Sequence, residues 1–508
     1  MAKETKKFKR VLIANRGEIA VRVARTLREM GISPIAVYSD ADRTAPHVLC
    51  ADYAYHVGPA PSPESYLVGD KILAAAKACG ADAIHPGYGF LSENPVFAEQ
   101  VEKAGITFIG PPPDAMRVMG SKTAARDKME AAGVPCVPGS DGPVSSEEEA
   151  LRVADAIGFP VMLKAAAGGG GKGMRLISTR DELPRAYQSA SNEARNAFGD
   201  ETVYIEKAVI EPRHIEIQVL SGPDGKAIWL GERECSMQRR HQKIIEETPS
   251  MLLTEEIRRE MGEVACRAAD AVDYVGAGTV EFLMDKDRNF YFLEMNTRLQ
   301  VEHPVTELCC GIDLVEAQVR VAQGEPLPWK QEDIERKGHA IEARIYAEDP
   351  EQNFMPSPGL IRDLVMPHWP GVRVDCGVAK GYEVSRFYDP MIAKVVAYGE
   401  DRDQARRRLR RALTETAVKG ITSNTKFLRD LLEDEAFISG DYHTGSVTQF
   451  MEREAPQASE ELADVALVAA AIKTFRRDRK QAEARAANAS DKGEGGGWRG
   501  GSWRRGGF

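Results

Sequence analysis

Two glutamates and an asparagine have the types and the spacing of a divalent metal site. Two apolar segments flank a polar stretch at 285–289 and predict a β-hairpin. With a two-residue loop centred on 287–288, Glu281 lies opposite Glu294, and Asn296 shares the face of Glu294 because side chains alternate along a strand. Two carboxylates about 5 Å apart repel each other unless a cation intervenes. These three oxygen donors therefore predict a Mg²⁺ site; the alternative is a solvated strand end.

Two further segments carry charged side chains that suit acid–base and anion chemistry. Directly after the hairpin, residues 297–304 include Arg298, which can hold an oxyanion, and Glu302, which can act as a base. The segment 232–243, with Lys243 at its end, is equally dense in charge, although a solvated charged surface explains such a run as well. A lone histidine such as His214 is more often structural.

A glycine-rich segment predicts a phosphate-binding turn. The run at 165–173 contains four consecutive glycines between Lys164 and Lys172, and strand patterns at 161–164 and 174–177 flank it. It is not a dinucleotide fingerprint, because a strand and not a helix follows, and it lacks the P-loop spacing. We expect a flexible hairpin that closes over nucleotide phosphates; a mobile glycine turn without a ligand is the alternative.

The elements that must position these residues suggest several domains. Short apolar runs alternate with helical patterns over residues 11–110, as in a parallel sheet with crossover helices. Mixed helices and strands follow, and the last ordered part has an α+β pattern. We predict an N-terminal parallel-sheet domain, a central domain with a glycine-rich lid at about 137–208, a C-terminal α+β domain and a helical, then disordered, tail. Their predicted bounds are 1–113, 114–335, 336–455 and 456–508.

Composition excludes several classes of protein. The 508 residues suffice for two to four domains, and the net charge of −10 argues against a nucleic-acid binder. No apolar run approaches the roughly 20 residues that cross a bilayer, and no secretory signal is recognised, so we expect a cytoplasmic, membrane-free protein. The eight cysteines include no CxxC pair, which favours reduced thiols.

Together these segments resemble the ATP-grasp superfamily and, within it, the biotin carboxylases. The resemblance covers roughly residues 8–450 and rests on several long motifs in the right order. Besides the glycine loop they are Ile-Ala-Asn-Arg-Gly-Glu-Ile-Ala at 13–20, His-Pro-Gly-Tyr-Gly-Phe-Leu-Ser-Glu-Asn at 85–94, Glu-Pro-Arg-His-Ile-Glu at 211–216, Gln-Arg-Arg-His-Gln-Lys at 238–243, and the segments 294–306 and 344–350.

The resemblance implies a role for each candidate residue. ATP, as cofactor, is expected to contact Lys122, Lys164, Gly170, Gly171, Glu206, Lys207, Ala208, Val209, His214, Gln238 and His241. Mg²⁺ or Mn²⁺ is expected on Glu281, Glu294 and Asn296. Bicarbonate is expected among Lys243, Arg298, Gln300, Val301 and Glu302, with Glu302 as the base. Arg344 is expected to stabilise the biotin enolate, with Tyr88 nearby.

The resemblance also implies partners. No Met-Lys-Met occurs in the sequence, so the biotin is expected on a separate carrier protein, and a carboxyltransferase subunit is expected to use it. We expect a homodimer or larger complex in an acetyl- or propionyl-CoA carboxylase, or alternatively in a two-subunit pyruvate carboxylase. The remaining alternatives are another ATP-grasp ligase of the carbamoyl-phosphate type and a catalytically silent nucleotide-binding scaffold. The amphipathic stretch 462–475 is expected to pack on its own body or to dock a partner.

Overall fold

The computed structural model describes residues 5–140, 142–165, 174–198 and 203–453. Beyond these it describes residues 465, 467–472, 474–476 and 479, which are helical. The chain divides into one compact unit, Met1–Phe450, and a second, Met451–Phe508. In the second unit the apolar side chains of the predicted helix, such as Val468 and Phe475, are exposed. The rest of the predicted tail lies outside the described residues.

The first sheet is parallel, as the alternation of strand and helix patterns predicted. Its strands follow the order β3-β2-β1-β4-β5, and helices connect them. The strands are apolar because helices cover both faces of such a sheet. They are β1 (Arg10–Ile13), β2 (Ser33–Ser39), β3 (Tyr53–Gly58), β4 (Ala83–His85) and β5 (Thr107–Phe108), with helices α1 (Gly17–Glu29), α2 (Pro46–Leu49), α3 (Gly69–Cys79) and α4 (Pro95–Lys103).

A three-stranded antiparallel sheet, ordered β7-β6-β8, follows. Its first two strands confirm the strand patterns predicted on either side of the glycine run. The run itself, including Gly170 and Gly171, lies outside the described residues. The elements here are α5 (Pro113–Gly120), α6 (Lys122–Ala131), α7 (Glu147–Ile157), β6 (Val161–Ala165), β7 (Met174–Ile177), α8 (Leu183–Phe198) and β8 (Val203–Lys207).

The largest sheet has eight antiparallel strands in the order β13-β12-β9-β10-β11-β14-β21-β19. The strands come from both sides of the boundary predicted near residue 335, so this sheet is continuous across it. Up to that boundary the elements are β9 (Arg213–Ser221), β10 (Ala227–Arg239), β11 (Gln242–Thr248), α9 (Glu255–Asp270), β12 (Gly276–Met284), β13 (Phe290–Asn296), α10 (His303–Cys310) and α11 (Leu314–Gln323).

The C-terminal part of the first unit completes this sheet and covers it. Small two-stranded sheets pair β15 with β16, β17 with β20, and β18 with β22. Its elements are β14 (His339–Tyr346), β15 (Glu348–Asp349), β16 (Met355–Pro356), β17 (Gly359–Leu360), β18 (Asp363–Val365), β19 (Val372–Cys376), β20 (Glu383–Val384), β21 (Met391–Gly399), α12 (Arg402–Glu415), β22 (Ala417–Lys419), α13 (Thr425–Leu431), α14 (Glu435–Ser439) and α15 (Ser446–Glu452).

The two faces of β14 and β21 differ in chemistry. Ala343 and Val395 belong to the apolar core that α12 shares, so one face is hydrophobic. The other face carries Glu342, Arg344 and Lys394, and Arg344 pairs directly with Lys394 across the strands. Helices α10 and α1 pack against this side of the sheet region. The period of two thus places a row of charges inside the molecule.

No helix in the described part of the chain is long and apolar enough to cross a lipid bilayer. All eight cysteines are free, as predicted.

Candidate active site

Lys243, at the start of β11, is the centre of a buried ion cluster. Its Nζ donates to Glu216 Oε2 at 2.6 Å, to Glu302 Oε1 at 2.8 Å and to Glu281 Oε1 at 2.9 Å. Burial by itself lowers the pKa of the Lys243 ammonium, but the three carboxylates outweigh it and hold that pKa well above its usual range. The lysine therefore stays charged. We call Lys243, its three carboxylates and the two residues added below, Arg344 and Glu246, the buried ion cluster.

Glu302, the predicted base, is fully buried in this cluster at the beginning of α10. Its second oxygen, Oε2, accepts from Arg344 Nη2 at 3.0 Å. Although burial raises the pKa of Glu302, Lys243 and Arg344 lower it further, and the net shift is well below the usual range. The carboxylate is therefore ionised but a weak base as it stands, because efficient general bases have pKa values near the working pH.

Arg344 extends the cluster onto the C-terminal strands. Its Nε donates to Glu246 Oε1 at 2.6 Å, so one guanidinium bridges Glu246 and Glu302. Neighbouring Glu342 is fully buried, and neither of its carboxyl oxygens has a hydrogen-bond partner among the described residues. Burial, only partly offset by Lys394, raises the pKa of Glu342 well above its usual range, so this side chain is a neutral acid.

Arg298 connects the predicted metal site to the N-terminal part of the chain. Its Nε donates to Glu93 Oε2 at 2.8 Å, and its Nη2 donates to Asn296 Oδ1 at 2.9 Å. Its Nη1 lies 3.2 Å from Gln300 Oε1. Gln300 in turn donates from Nε2 to Glu281 Oε1 at 2.9 Å, so the guanidinium is held beside the buried ion cluster.

The predicted metal ligands come together at the edge of the large sheet. Glu281 lies opposite Glu294, as predicted, although at the tip the register is shifted by one residue and a bulge after Glu281 restores the pairing. Asn296 Nδ2 donates to Glu281 Oε1 at 2.9 Å. The pKa of Glu294 is raised, first by desolvation and then by the charge of Glu281. Two facing carboxylates that repel in this way fit a divalent cation.

A second set of donor atoms has metal-like spacing but is already neutralised. The donor atoms of His214, Glu216 and Glu281 lie within 4.8 Å of one another. The Lys243 ammonium already contacts both of these carboxylates, and His214 Nε2 lies 2.9 Å from Glu281 Oε2. This set therefore needs no ion for charge balance, in contrast to Glu294.

The predicted nucleotide contacts around β6 and β8 are more open. Lys164 on β6 forms an ion pair with Glu206 on β8, and Arg126 Nη1 lies 3.6 Å from the same carboxylate. We call Lys164, Glu206 and Arg126 the nucleotide edge. Lys122 is the first residue of α6, the helix that carries Arg126.

The remaining predicted nucleotide contacts divide into three groups. The Lys207 ammonium binds the carbonyls of Gly158 and Phe159, so this segment offers its backbone at Ala208 and Val209 and not the lysine charge. Gln238 Nε2 lies 3.4 Å from His214 Nδ1, which brings these two residues together. His241 occupies the exposed turn between β10 and β11, and no hydrogen bond or ion pair of the described residues joins it to them.

Tyr88 and Val301 are linked to the site by residues that the sequence did not single out. The Tyr88 hydroxyl donates to Glu18 in the first turn of α1, and Lys394 Nζ donates to the Val301 carbonyl at 2.7 Å. Burial and the Glu18 charge raise the pKa of Tyr88 well above its usual range, so it remains a neutral donor.

Three family models cover most of the chain. "Biotin carboxylase, N-terminal domain" matches residues 7–116, and "Biotin carboxylase C-terminal domain" matches residues 342–449. Between them, "Carbamoyl-phosphate synthase L chain, ATP binding domain" matches residues 121–330. The flanking models distinguish the chain from the carbamoyl-phosphate type of ligase.

The chain is 53% identical to Biotin carboxylase 1 of Bacillus subtilis over 86% of its own length and 97% of the relative. It belongs to the biotin carboxylase family. It is also 51% identical to the propionyl-CoA carboxylase alpha chain of Ruegeria pomeroyi, covering 87% of this chain and 68% of that one. The biotin carboxylase domain dimer of Hydrogenobacter thermophilus 2-oxoglutarate carboxylase, solved with MgADP, ADP and bicarbonate, matches with a TM-score of 0.82 and 45% identity, over 89% of this chain and 100% of that one.

Several predictions are thereby confirmed. The family, its ATP-grasp fold and its class, ATP-dependent ligase, are those expected from the motifs. ATP, magnesium, bicarbonate and biotin are the cofactors and substrates of biotin carboxylases, as predicted. The roles of individual residues and the domain boundaries stay predictions.

Sequence reasoning missed several residues of this biotin carboxylase site. Arg233 is fully buried and donates to Glu216, Gln218, Thr279 and Thr306, so it braces the strands beneath Lys243. Single charges inside otherwise apolar strands, such as Glu216 and Arg233, are a sequence signal that could have identified them, because an unpaired buried charge is costly. Glu93, Glu246 and Lys394 carry no comparable local signal.

Proposed function

We propose that this chain uses ATP and bicarbonate to carboxylate the biotin of a separate carrier protein, within an acyl-CoA carboxylase that acts on acetyl- or propionyl-CoA. The observation that carries the proposal is the buried ion cluster, in which Lys243 and Arg344 hold Glu302 between them. A scaffold that only bound nucleotide would have no use for a desolvated base between two cations.

Bicarbonate is assigned to the space near Lys243, Arg298 and Gln300. An arriving anion competes with Glu302 for the positive charges, which weakens their hold on that carboxylate and raises its pKa. Glu302 then becomes a better base at the moment when it must take the bicarbonate proton. The deprotonated bicarbonate attacks the γ-phosphate of ATP and gives carboxyphosphate and ADP.

Nucleotide and metal are assigned to the opposite side of the site. Bound Mg²⁺ would supply charge neutralisation for the phosphates, and Glu281, Glu294 and Asn296 would hold it. Lys164 would exchange its ion pair with Glu206 for a phosphate contact, and the predicted lid would exclude water. Backbone groups of Ala208 and Val209, with His214 and Gln238, would complete the contacts.

The biotin ring is assigned to the side of Arg344 and Tyr88. Carboxyphosphate breaks down to CO₂ and phosphate, and the phosphate takes the proton from the ureido nitrogen. Arg344 supports the resulting enolate with a fixed positive charge, since Glu246 anchors its Nε. The enolate then attacks CO₂ to give carboxybiotin.

The final acceptor distinguishes two versions of this proposal. Similarity to a propionyl-CoA carboxylase chain favours the acyl-CoA version. A 2-oxo acid carboxylase provides a structure nearly as similar, which keeps a two-subunit pyruvate carboxylase as the alternative. We propose that the chain is a homodimer with a carrier and a carboxyltransferase as partners, divided into domains at about 113, 335 and 455.

Steady-state turnover tests the proposal. The purified chain should hydrolyse ATP slowly with Mg²⁺ and bicarbonate, and faster when free biotin is added at high concentration. Turnover that ignores both bicarbonate and biotin would contradict it. An avidin blot of the chain should show no biotin, and assays of co-purified partners with acetyl-CoA, propionyl-CoA and pyruvate identify the acceptor.

A further inference from the structure

Lys394 on β21 is a buried cation that lies next to the proposed chemistry but is not part of the buried ion cluster. Its side chain is fully buried. Its Nζ donates to the Val301 carbonyl at 2.7 Å and lies 3.2 Å from Glu18 Oε1 and 3.8 Å from Asp375 Oδ2. Burial disfavours the charge, but Glu18, Glu342 and Asp375 outweigh it and raise the pKa of Lys394, so the ammonium stays protonated.

The arrangement differs from that of an ion pair that only stabilises the fold. The shortest contact of the ammonium is to a neutral carbonyl, and both carboxylates lie further away. Glu18 Oε2 has no hydrogen-bond partner within the described residues. If charge pairing alone decided the geometry, the ammonium would sit closer to Glu18. Its position instead favours the contact with Val301.

The carbonyl that Lys394 holds belongs to the peptide unit between Val301 and Glu302. Because a peptide unit is planar, fixing this carbonyl also fixes the direction of the Glu302 backbone N–H and hence the start of α10. Glu302 begins that helix and carries the proposed base. The ammonium therefore controls where the backbone delivers the carboxylate.

The same ammonium acts on Tyr88 through one intermediate group. Glu18 Oε1 faces Lys394 and also accepts the hydrogen bond from the Tyr88 hydroxyl. Arg344 is the direct cross-strand neighbour of Lys394, so its backbone is in register with the same residue. One cation thus touches groups that come from β21, from α1 and from the segment before α10.

We propose that Lys394 is a positioning residue of the carboxylation step: its ammonium fixes the Val301–Glu302 peptide and, through Glu18, the Tyr88 hydroxyl. The inference rests on the proposed function, which assigns bicarbonate to the Val301–Glu302 side and biotin to the Tyr88 side. It adds that these two sides share a single point of support and that the nucleotide edge does not depend on it.

Replacing Lys394 by methionine tests the proposal. Lys394→Met should lower kcat with biotin and raise the KM for bicarbonate, together at least about tenfold in kcat/KM, since small misplacements of reacting groups are costly. The KM for ATP should stay within about twofold of the wild-type value. Arg258→Met is the matched control: it removes a cation bound to buried Glu232, 2.8 Å away, with no contact to the site. A general loss of stability would move all three kinetic parameters alike in both variants, and that result would overturn the proposal.

A second variant and a second measurement keep the proposal testable if Lys394→Met folds poorly. The double variant Glu18→Gln with Lys394→Met removes both charges, leaves an amide oxygen for Tyr88, and should keep the same kinetic pattern with better stability. Amide hydrogen exchange, which needs no activity, should become faster at 299–303 than in the wild type, with β6 and β8 unchanged. Unchanged exchange at 299–303 would overturn the proposal even if the wild-type enzyme lacked bicarbonate-dependent turnover, which by itself would refute only the proposed function.

Discussion

The buried ion cluster and the nucleotide edge hold their charges in opposite ways. Side chains of the cluster are almost inaccessible, from fully buried Glu216 and Glu302 to Lys243 at 12% exposure. At the nucleotide edge, Lys164 and Glu206 are 32% and 20% exposed. Water screens the edge and leaves its ion pair weak, whereas the cluster interacts through a poorly screened interior. The cluster is therefore prearranged for reaction, and the edge is left free to exchange partners with a ligand.

The largest effect should come from the base in the cluster. Glu302→Gln should lower bicarbonate-dependent ATP turnover by roughly 10²–10⁴-fold, because the neutral amide cannot take a proton. ATP affinity, measured by calorimetry, should change little, since the nucleotide edge is separate. Glu234→Gln is the control: Glu234 is equally buried, with its pKa raised by burial, and it bonds Ser236 and Ser250 outside the cluster. Wild-type turnover of Glu302→Gln would show that another group is the base.

The next effect concerns stability. Arg233→Met should reduce the free energy of unfolding by about 3–5 kcal/mol, because it leaves buried Glu216 without one of its two cationic partners. Arg180→Met, which removes an exposed pair with Asp155, should cost at most about 1 kcal/mol. Urea unfolding of the two variants measures both values. Equal costs would mean that burial does not separate the two kinds of ion pair.

A pH effect should follow from His85, which ends β4 three residues before Tyr88. Burial lowers its pKa to about 4, below the unfolded value near 6.5. The unfolded chain therefore binds the proton first, so stability is retained above pH 6.5 and falls as the pH drops towards 4, by about 3 kcal/mol for this group.

The His85→Asn variant tests this, because the amide oxygen can replace Nδ1 as acceptor of the Gly87 N–H. Unfolding free energies measured at pH 6.5 and 4.5 should differ less in this variant than in the wild type. The exposed His368, changed to glutamine, serves as control and should leave the pH dependence unchanged. A wild-type-like slope in His85→Asn would exclude this histidine as the source.

The smallest effect on the protein itself should come from the nucleotide edge. Lys164→Ala should weaken ATP binding markedly but change the free energy of unfolding by less than about 1 kcal/mol, since its pair with Glu206 is partly exposed. Calorimetry with ATP and urea unfolding of the same sample check the two statements. A large loss of stability would place Lys164 with the buried ion cluster and remove the contrast between the two regions.

Much of the fold followed from local patterns. The parallel strands, the strands around the glycine run and the hairpin that pairs Glu281 with Glu294 were predictable, because apolar runs and the period of two are local properties. The register of that hairpin was predicted for the wrong reason. A centred two-residue loop is not what aligns the two glutamates; a bulge after Glu281 does, and bulges have no reliable sequence signal.

By itself, the sequence determined the family, the ATP-grasp fold and most of the side chains that were predicted to act, because motifs of this length keep chemistry and order together. Only the tertiary structure decided which charges meet. It joined strands from both sides of residue 335 into one sheet, which brings Arg344 to Glu302 and Lys394 to Val301. It also revealed that Lys243 and Arg344 hold the proposed base as a weak one. Contacts between residues tens of positions apart depend on how elements pack, and no local pattern records that packing.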